Sequence, residues 1–196
     1  MQKKKTTGLI IAGAVILLLV IFVVSTYNSI VKKEEKVKQQ WSEVQSTYQR
    51  RLDLVPNLVN TVKGVSEFEK GVLEEIAEAR GKALSARTDG EPTADNVNAE
   101  QQAQDNLANA TNRLIVVVEK YPTLKGTAAY AGLQTQLEGT ERRIKVARND
   151  FNAAVADYNK QVRNFPGNLV AGVFGYKTKD GFRAVEGADQ SVEIKF

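Results

Sequence analysis

The chain has no cysteine and no histidine. Disulfide frameworks, thiol nucleophiles and soft-ligand metal sites are therefore excluded, and so are Ser-His-Asp and Cys-His catalytic arrangements. The phosphate-cradling pattern GxxxxGK[ST] is also missing. No internal repeat is evident. Nowhere do Lys and Arg gather with aromatics as they do on a nucleic-acid surface. Acids and bases are interspersed at a net charge of +4, the pattern of a solvated helical surface. Asp and Glu are numerous, but no spacing singles out a pair for acid-base work. The expectation is a protein with no catalytic residues, no cofactor, no metal and no nucleic-acid partner.

What stands out instead is one stretch near the start. Gly8 to Val24, GLIIAGAVILLLVIFVV, holds no charge and no strongly polar side chain. A helix rising about 1.5 Å per residue needs roughly 20 residues to cross a bilayer core of about 30 Å. Ser25, Thr26 and Tyr27 complete the span, with the Tyr27 hydroxyl suited to the headgroup level. A cleaved signal peptide has a shorter apolar centre followed by a small-x-small site, and VVSTYNS is a poor one. The run is apolar on all sides, unlike the one-sided stripe of a helix packed in an ordinary globular body, so a buried core helix is not expected. The reading is a short basic terminus at 1–7, a single transmembrane anchor at 8–27 in contact with the lipid bilayer, a helical body at 28–166 and a tail at 167–196. Lys3, Lys4 and Lys5 stand unopposed beside the run, whereas Lys32, Lys33, Lys36 and Lys38 are mixed with Glu34 and Glu35. Positive charge favours the cytoplasmic side, so the N-terminus is expected inside and the body outside the cytoplasm.

The body reads as four helices. Ile30, Glu34, Val37, Trp41, Val44, Tyr48, Arg51 and Val55 alternate by four and three, the seam of a helix packed on others, with Glu34 and Arg51 as polar exceptions. Pro56 is expected to end this helix some 40 Å from the membrane, with Asp53 capping the next. A second helix over 57–87 carries the seam Leu58, Val62, Val65, Glu69, Val72, Ile76, Ala79 and Ala83. TDGEPTADNV at 88–97 is loop chemistry. A third helix over 98–120 has the seam Ala103, Leu107, Ala110, Leu114, Val117 and Tyr121, and stops at Tyr121-Pro122. Thr127 caps a fourth, with a seam from Tyr130 through Leu133, Leu137, Thr140, Ile144, Ala147, Phe151, Ala154, Tyr158 and Val162 to Phe165. If continuous, the fourth runs roughly 57 Å. That is longer than the first, so either Gly139 breaks it or the far end extends further. Four helices with short loops argue an all-α antiparallel up-down bundle, followed by an irregular C-terminal tail.

Three groups of residues are candidates for function. Counting helices up and down brings Arg50, Arg51, Asp53, Pro56 and Asn57 together with Tyr121 and Pro122 at a distal tip, where they either cap and ion-pair the turn or dock a partner. Glu69 is a candidate buried carboxylate, paired with Arg148 or Arg143 to fix helix register or raised in pKa for chemistry. The tail residues Leu169, Val170, Val173, Phe174, Tyr176 and Phe182 can pack under the bundle, enter the membrane interface or join another subunit. The terminal VEIKF alternates as a strand does.

The segments YN (Tyr27, Asn28), Trp41 and Gln45, RRLDLVPNLVNTVKG from Arg50, EKYPTLK, and FPGNLVAGVFGYK from Phe165 resemble the LemA family over nearly the whole chain. The resemblance implies a bacterial single-pass inner-membrane protein with an all-helical bundle and no known enzymatic activity. It also implies links to the cell envelope and, for a relative, to magnetosome membranes. The family often has His before the position of Glu69; Phe68 stands there, so no role of that imidazole carries over. The function expected is a non-enzymatic membrane-anchored scaffold or adaptor, working through homo-oligomerisation or membrane-protein partners. A carboxylate enzyme and an adaptor for a membrane protease are the rivals.

Overall fold

A computed structural model describes residues 2–64, 69–88 and 90–183, the first six of them as backbone only. Six helices follow one another: α1 (Gln2–Lys63), α2 (Lys70–Ser85), α3 (Ala94–Val118), α4 (Pro122–Lys125), α5 (Ala128–Arg163) and α6 (Gly167–Phe174). Among the described residues there is no strand, so the all-α expectation holds. The terminal VEIKF, Val65 and Phe68 lie outside them.

Helix α1 is where the expectation needs most correction. Pro56 does not end it; the helix continues through the proline to Lys63. The second helix accordingly starts at Lys70 rather than Asn57. Leu58 and Val62 are buried as foreseen, but on α1. Gly139 does not interrupt α5. The length mismatch between the first and fourth helices thus disappears through extension of α1.

The third helix starts earlier than expected, at Ala94, because Thr93 caps it: its hydroxyl accepts the Asn96 N–H at 3.3 Å. Thr127 plays the foreseen part for α5, accepting the Tyr130 N–H at 3.3 Å. The start of the tail is helical rather than irregular. Helix α6 ends at Gly175, which takes the left-handed conformation (φ 77°) that glycine alone adopts freely, and Tyr176 N–H closes the end on Ala171 O at 2.9 Å.

The chain divides into two compact units, one from Met1–Gln39 with Ala153–Lys179 and one from Gln40–Asn152 with Asp180–Phe196. In the first, every described residue from Gly8 to Ser25 is exposed, and packing begins at Thr26 and Ile30. The helix carrying the run is long and apolar enough to cross a membrane. Val162, Val170 and Ala171 are buried here. Tyr27 meets Phe174 and Tyr176 with ring centroids 4.8 and 6.0 Å apart. Glu34 and Lys179 pair at 3.0 Å, and Asn159 holds the Lys179 backbone through two hydrogen bonds of 2.8 Å.

The second unit holds the larger core. Leu52, Val55 and Leu58 of α1, Ile76 and Ala83 of α2, Leu107 and Leu114 of α3, and Tyr130 and Leu137 of α5 form one buried cluster. Trp41, Phe151 and Phe182 make a second, aromatic group with centroids 5.3 to 6.0 Å apart. Asn152 fixes Phe182 there by accepting its N–H at 2.8 Å.

Candidate functional site

The second unit collects the polar chemistry of the chain, and it begins at Pro56. A proline inside a helix has no N–H for the carbonyl four residues back, and its ring crowds that carbonyl. The carbonyl here belongs to Leu52. Arg80 of α2 supplies the missing donor, its Nε–H reaching Leu52 O at 3.1 Å. The carbonyl that Pro56 leaves without its helix bond is thereby satisfied. The proline lies on an apolar groove walled by Val55, Val59, Leu73 and Ile76, with Lys63, Lys70 and Glu74 as polar lining.

One turn earlier, Arg51 is 2 % exposed. Its guanidinium grips Glu141 of α5 with two bonds, Nε to Oε1 at 2.8 Å and Nη2 to Oε2 at 2.5 Å. Its Nη1 donates to Gln104 of α3, to the backbone oxygen at 2.9 Å and to Oε1 at 3.1 Å. Three helices are therefore registered by one side chain, and a planar five-donor group is the residue type that can do it.

A second network lies on the same helices. Arg148 donates Nε–H to the Tyr48 hydroxyl at 2.8 Å and Nη2–H to Asp105 at 2.7 Å. Its guanidinium also sits over the Phe182 ring, 5.2 Å from the centroid. Burial pushes the Tyr48 phenol up to about 12, outweighing Arg148, which pulls it down. The phenol therefore stays protonated through neutral pH. Unfolded tyrosine loses its proton near pH 10. This contribution to stability is fully present below pH 10 and is lost as pH rises from 10 towards 12, by about 2–3 kcal/mol. Urea titrations of the parent and Tyr48→Phe across pH 9 to 12 should show the parent losing stability faster. Parallel curves would show that Tyr48 ionises freely.

The candidates from sequence fall in different places. Arg51 is not a tip residue closing a turn; it is a buried connector. Arg50 and Asp53 are exposed and line an open polar cleft with Arg87, Thr140 and Arg143. Asn57 is exposed in mid-helix and Pro56 is not at a turn. Tyr121 and Pro122 lead into α4. Glu69 is not buried. It precedes α2, its side chain is 49 % exposed, and it pairs with Lys120 at 3.2 Å rather than with Arg148 or Arg143. Of the tail residues, Val170 is buried, Leu169, Val173 and Phe174 are exposed, and Tyr176 and Phe182 are half-buried. Phe165, assigned to the α5 seam, is 79 % exposed beyond the helix.

Sequence reasoning missed Arg80, Gln104, Asp105, Glu141 and the true partners of Arg148. A signal existed for Glu141. A lone charge on a buried seam demands an opposite charge nearby, and Glu141 follows the seam residue Thr140.

These features define an all-helical protein with one long apolar N-terminal helix, its buried Arg51 tied across helices. The LemA family model matches residues 40–196, and the chain belongs to the LemA family. It is 26% identical over 184 residues to "Magnetosome protein MamQ 2" of Paramagnetospirillum magneticum, covering 85% of this chain and 68% of that protein. "Magnetosome protein MamQ" of Magnetospirillum gryphiswaldense is 25% identical over 185 residues, with the same coverage of 85% and 68%. "Protein LemA" of Metamycoplasma hominis is 24% identical over 145 residues, covering 74% of this chain and 63% of that one. None of these names denotes an enzyme.

Proposed function

We propose that this chain is a membrane-anchored helical scaffold or adaptor of the bacterial cell envelope, acting through self-assembly or by docking membrane-protein partners. The observation that carries the reading is the bare apolar start of α1. Among the described residues nothing packs on 8–25, and the same helix goes on to supply the packed residues that follow. Such a surface needs lipid. Arg51 and Arg148 are engaged with protein partners, which suits a rigid body better than a reaction centre. The enzyme rival rested on a buried Glu69, and Glu69 is half in water. The up-down four-helix arrangement belongs to this proposal, as does a cytoplasmic N-terminus.

The test is crosslinking of the full chain in native membranes, followed by mass identification. Envelope proteins or a second copy should be recovered reproducibly, and a protease adaptor would bring down a membrane protease. A chain that crosslinks to neither partners nor itself contradicts the scaffold. Protease added to spheroplasts should digest the body. Protection of the body would reverse the orientation.

A further inference from the structure

Helix α6 leaves apolar surface uncovered. Leu169, Val173 and Phe174 are 60, 80 and 51 % exposed, and Phe165 just before them is 79 % exposed. GNLVAGVF carries no charge. The opposite side is fastened to protein. Val170 and Ala171 are buried, and Gly167 approaches Gln161 so closely that a Cβ would lie 2.5 Å from its carbonyl oxygen. Position decides what covers the open side. Phe174 packs on Tyr27 with centroids 4.8 Å apart. Tyr27 lies only about 4.5 Å along the helix from Val24, the last residue of the apolar run, at a rise of about 1.5 Å per residue. The C-terminal end of α6 therefore adjoins the end of the bare segment of α1, with Leu169 and Val173 on the face away from Val170 and Ala171.

Charge points the same way. Residues 28–39 and 153–179 of this unit contain Lys32, Lys33, Lys36, Lys38, Lys160, Arg163, Lys177 and Lys179, against Glu34, Glu35 and Asp157 alone. Elsewhere beyond the apolar run, in 40–152 and 180–196, acids outnumber bases. Basic residues around an amphipathic helix suit anionic headgroups.

We propose that α6 is a second membrane contact. Phe165, Leu169, Val173 and Phe174 seat in the interface of the bilayer that the apolar run enters, and the surrounding Lys and Arg face anionic lipid. The proposal rests on the reading of residues 8–27 as the anchor.

Because the chain lacks cysteine, single nitroxide labels can be placed on the full chain at Val173→Cys, Leu17→Cys and Asn109→Cys, in vesicles of phosphatidylethanolamine and phosphatidylglycerol. Collision with oxygen reports lipid, and collision with a water-soluble nickel chelate reports solvent. The label at 17 should favour oxygen strongly and the label at 109 the chelate, with 173 at an interfacial depth between them. A label at 173 as open to the chelate as that at 109 overturns the proposal. So does a label at 173 shielded from both reagents and broadened by a second label until unlabelled chain is added, because a second copy then covers α6. Failure of the anchor reading is separate: it appears as solvent access at 17.

Discussion

Arg51→Ala is expected to lower stability by about 3–5 kcal/mol, because it removes four hydrogen bonds to α3 and α5 and leaves a cavity where the buried side chain stood. For a chain of this size that corresponds to a Tm lower by on the order of 10 °C. The guanidinium is almost wholly enclosed, while the Glu141 side chain is 45 % exposed. Losing Arg51 therefore empties a volume between helices and takes the donor from Gln104 Oε1, whereas Glu141 keeps water. Glu141→Gln should cost a comparable amount, about 3–5 kcal/mol, because the enclosed guanidinium then keeps its charge with no carboxylate opposite it. Lysine at position 51 keeps the charge but not the fork, and should fall nearer to alanine than to the parent. Chemical denaturation of the full chain in one detergent, followed by helicity, gives all three values. An Arg51→Ala variant within about 1 kcal/mol of the parent would show that the network does not hold the core together.

The second large effect has the opposite sign. Pro56→Ala should stabilise the protein. An interior proline costs a helix about 3 kcal/mol relative to alanine. Arg80 already offsets part of that by bonding Leu52 O, and alanine gives back about 1 kcal/mol by loosening the unfolded chain. A net gain of about 1–2 kcal/mol is expected from those opposing magnitudes. The diagnostic quantity is the coupling with Arg80. Arg80→Ala should cost about 1–2 kcal/mol beside proline, where it leaves the carbonyl unsatisfied. In the Pro56→Ala background, where the new backbone N–H reaches Leu52 O, the loss should shrink to a small fraction of that. Equal costs in both backgrounds would mean that Arg80 does not replace the missing helix bond, and a destabilising Pro56→Ala would mean that the proline itself is needed by the groove it lines.

Much of the fold could be read from periodicity. The seam positions Val37, Trp41, Val44, Tyr48 and Val55, and Leu107, Ala110 and Leu114, are all buried. Thr127 caps α5 as its type and place suggest. The two polar exceptions on the first seam were real signals, since Glu34 pairs with Lys179 and Arg51 with Glu141. What could not be read is equally specific. Proline stops a helix by default, and the donor that satisfies the freed carbonyl here comes from a residue 28 positions away in sequence. That misplaced the second helix, and with it Glu69, which reads as a seam residue only if the helix already runs through it. The tail looked irregular because α6 is too short and too rich in glycine for a clear period. Its helix depends on the tight seat of Gly167 and on the left-handed Gly175 that ends it.

The apolar run remains the organising feature of the chain, and the central claim is that it stays attached and spans the bilayer. The most direct measurement is the intact mass of the protein in membranes washed at alkaline pH. The full chain, with residues 8–27 in place, should remain in the pellet. A shorter chain beginning near Thr26, released into the wash, would contradict the account.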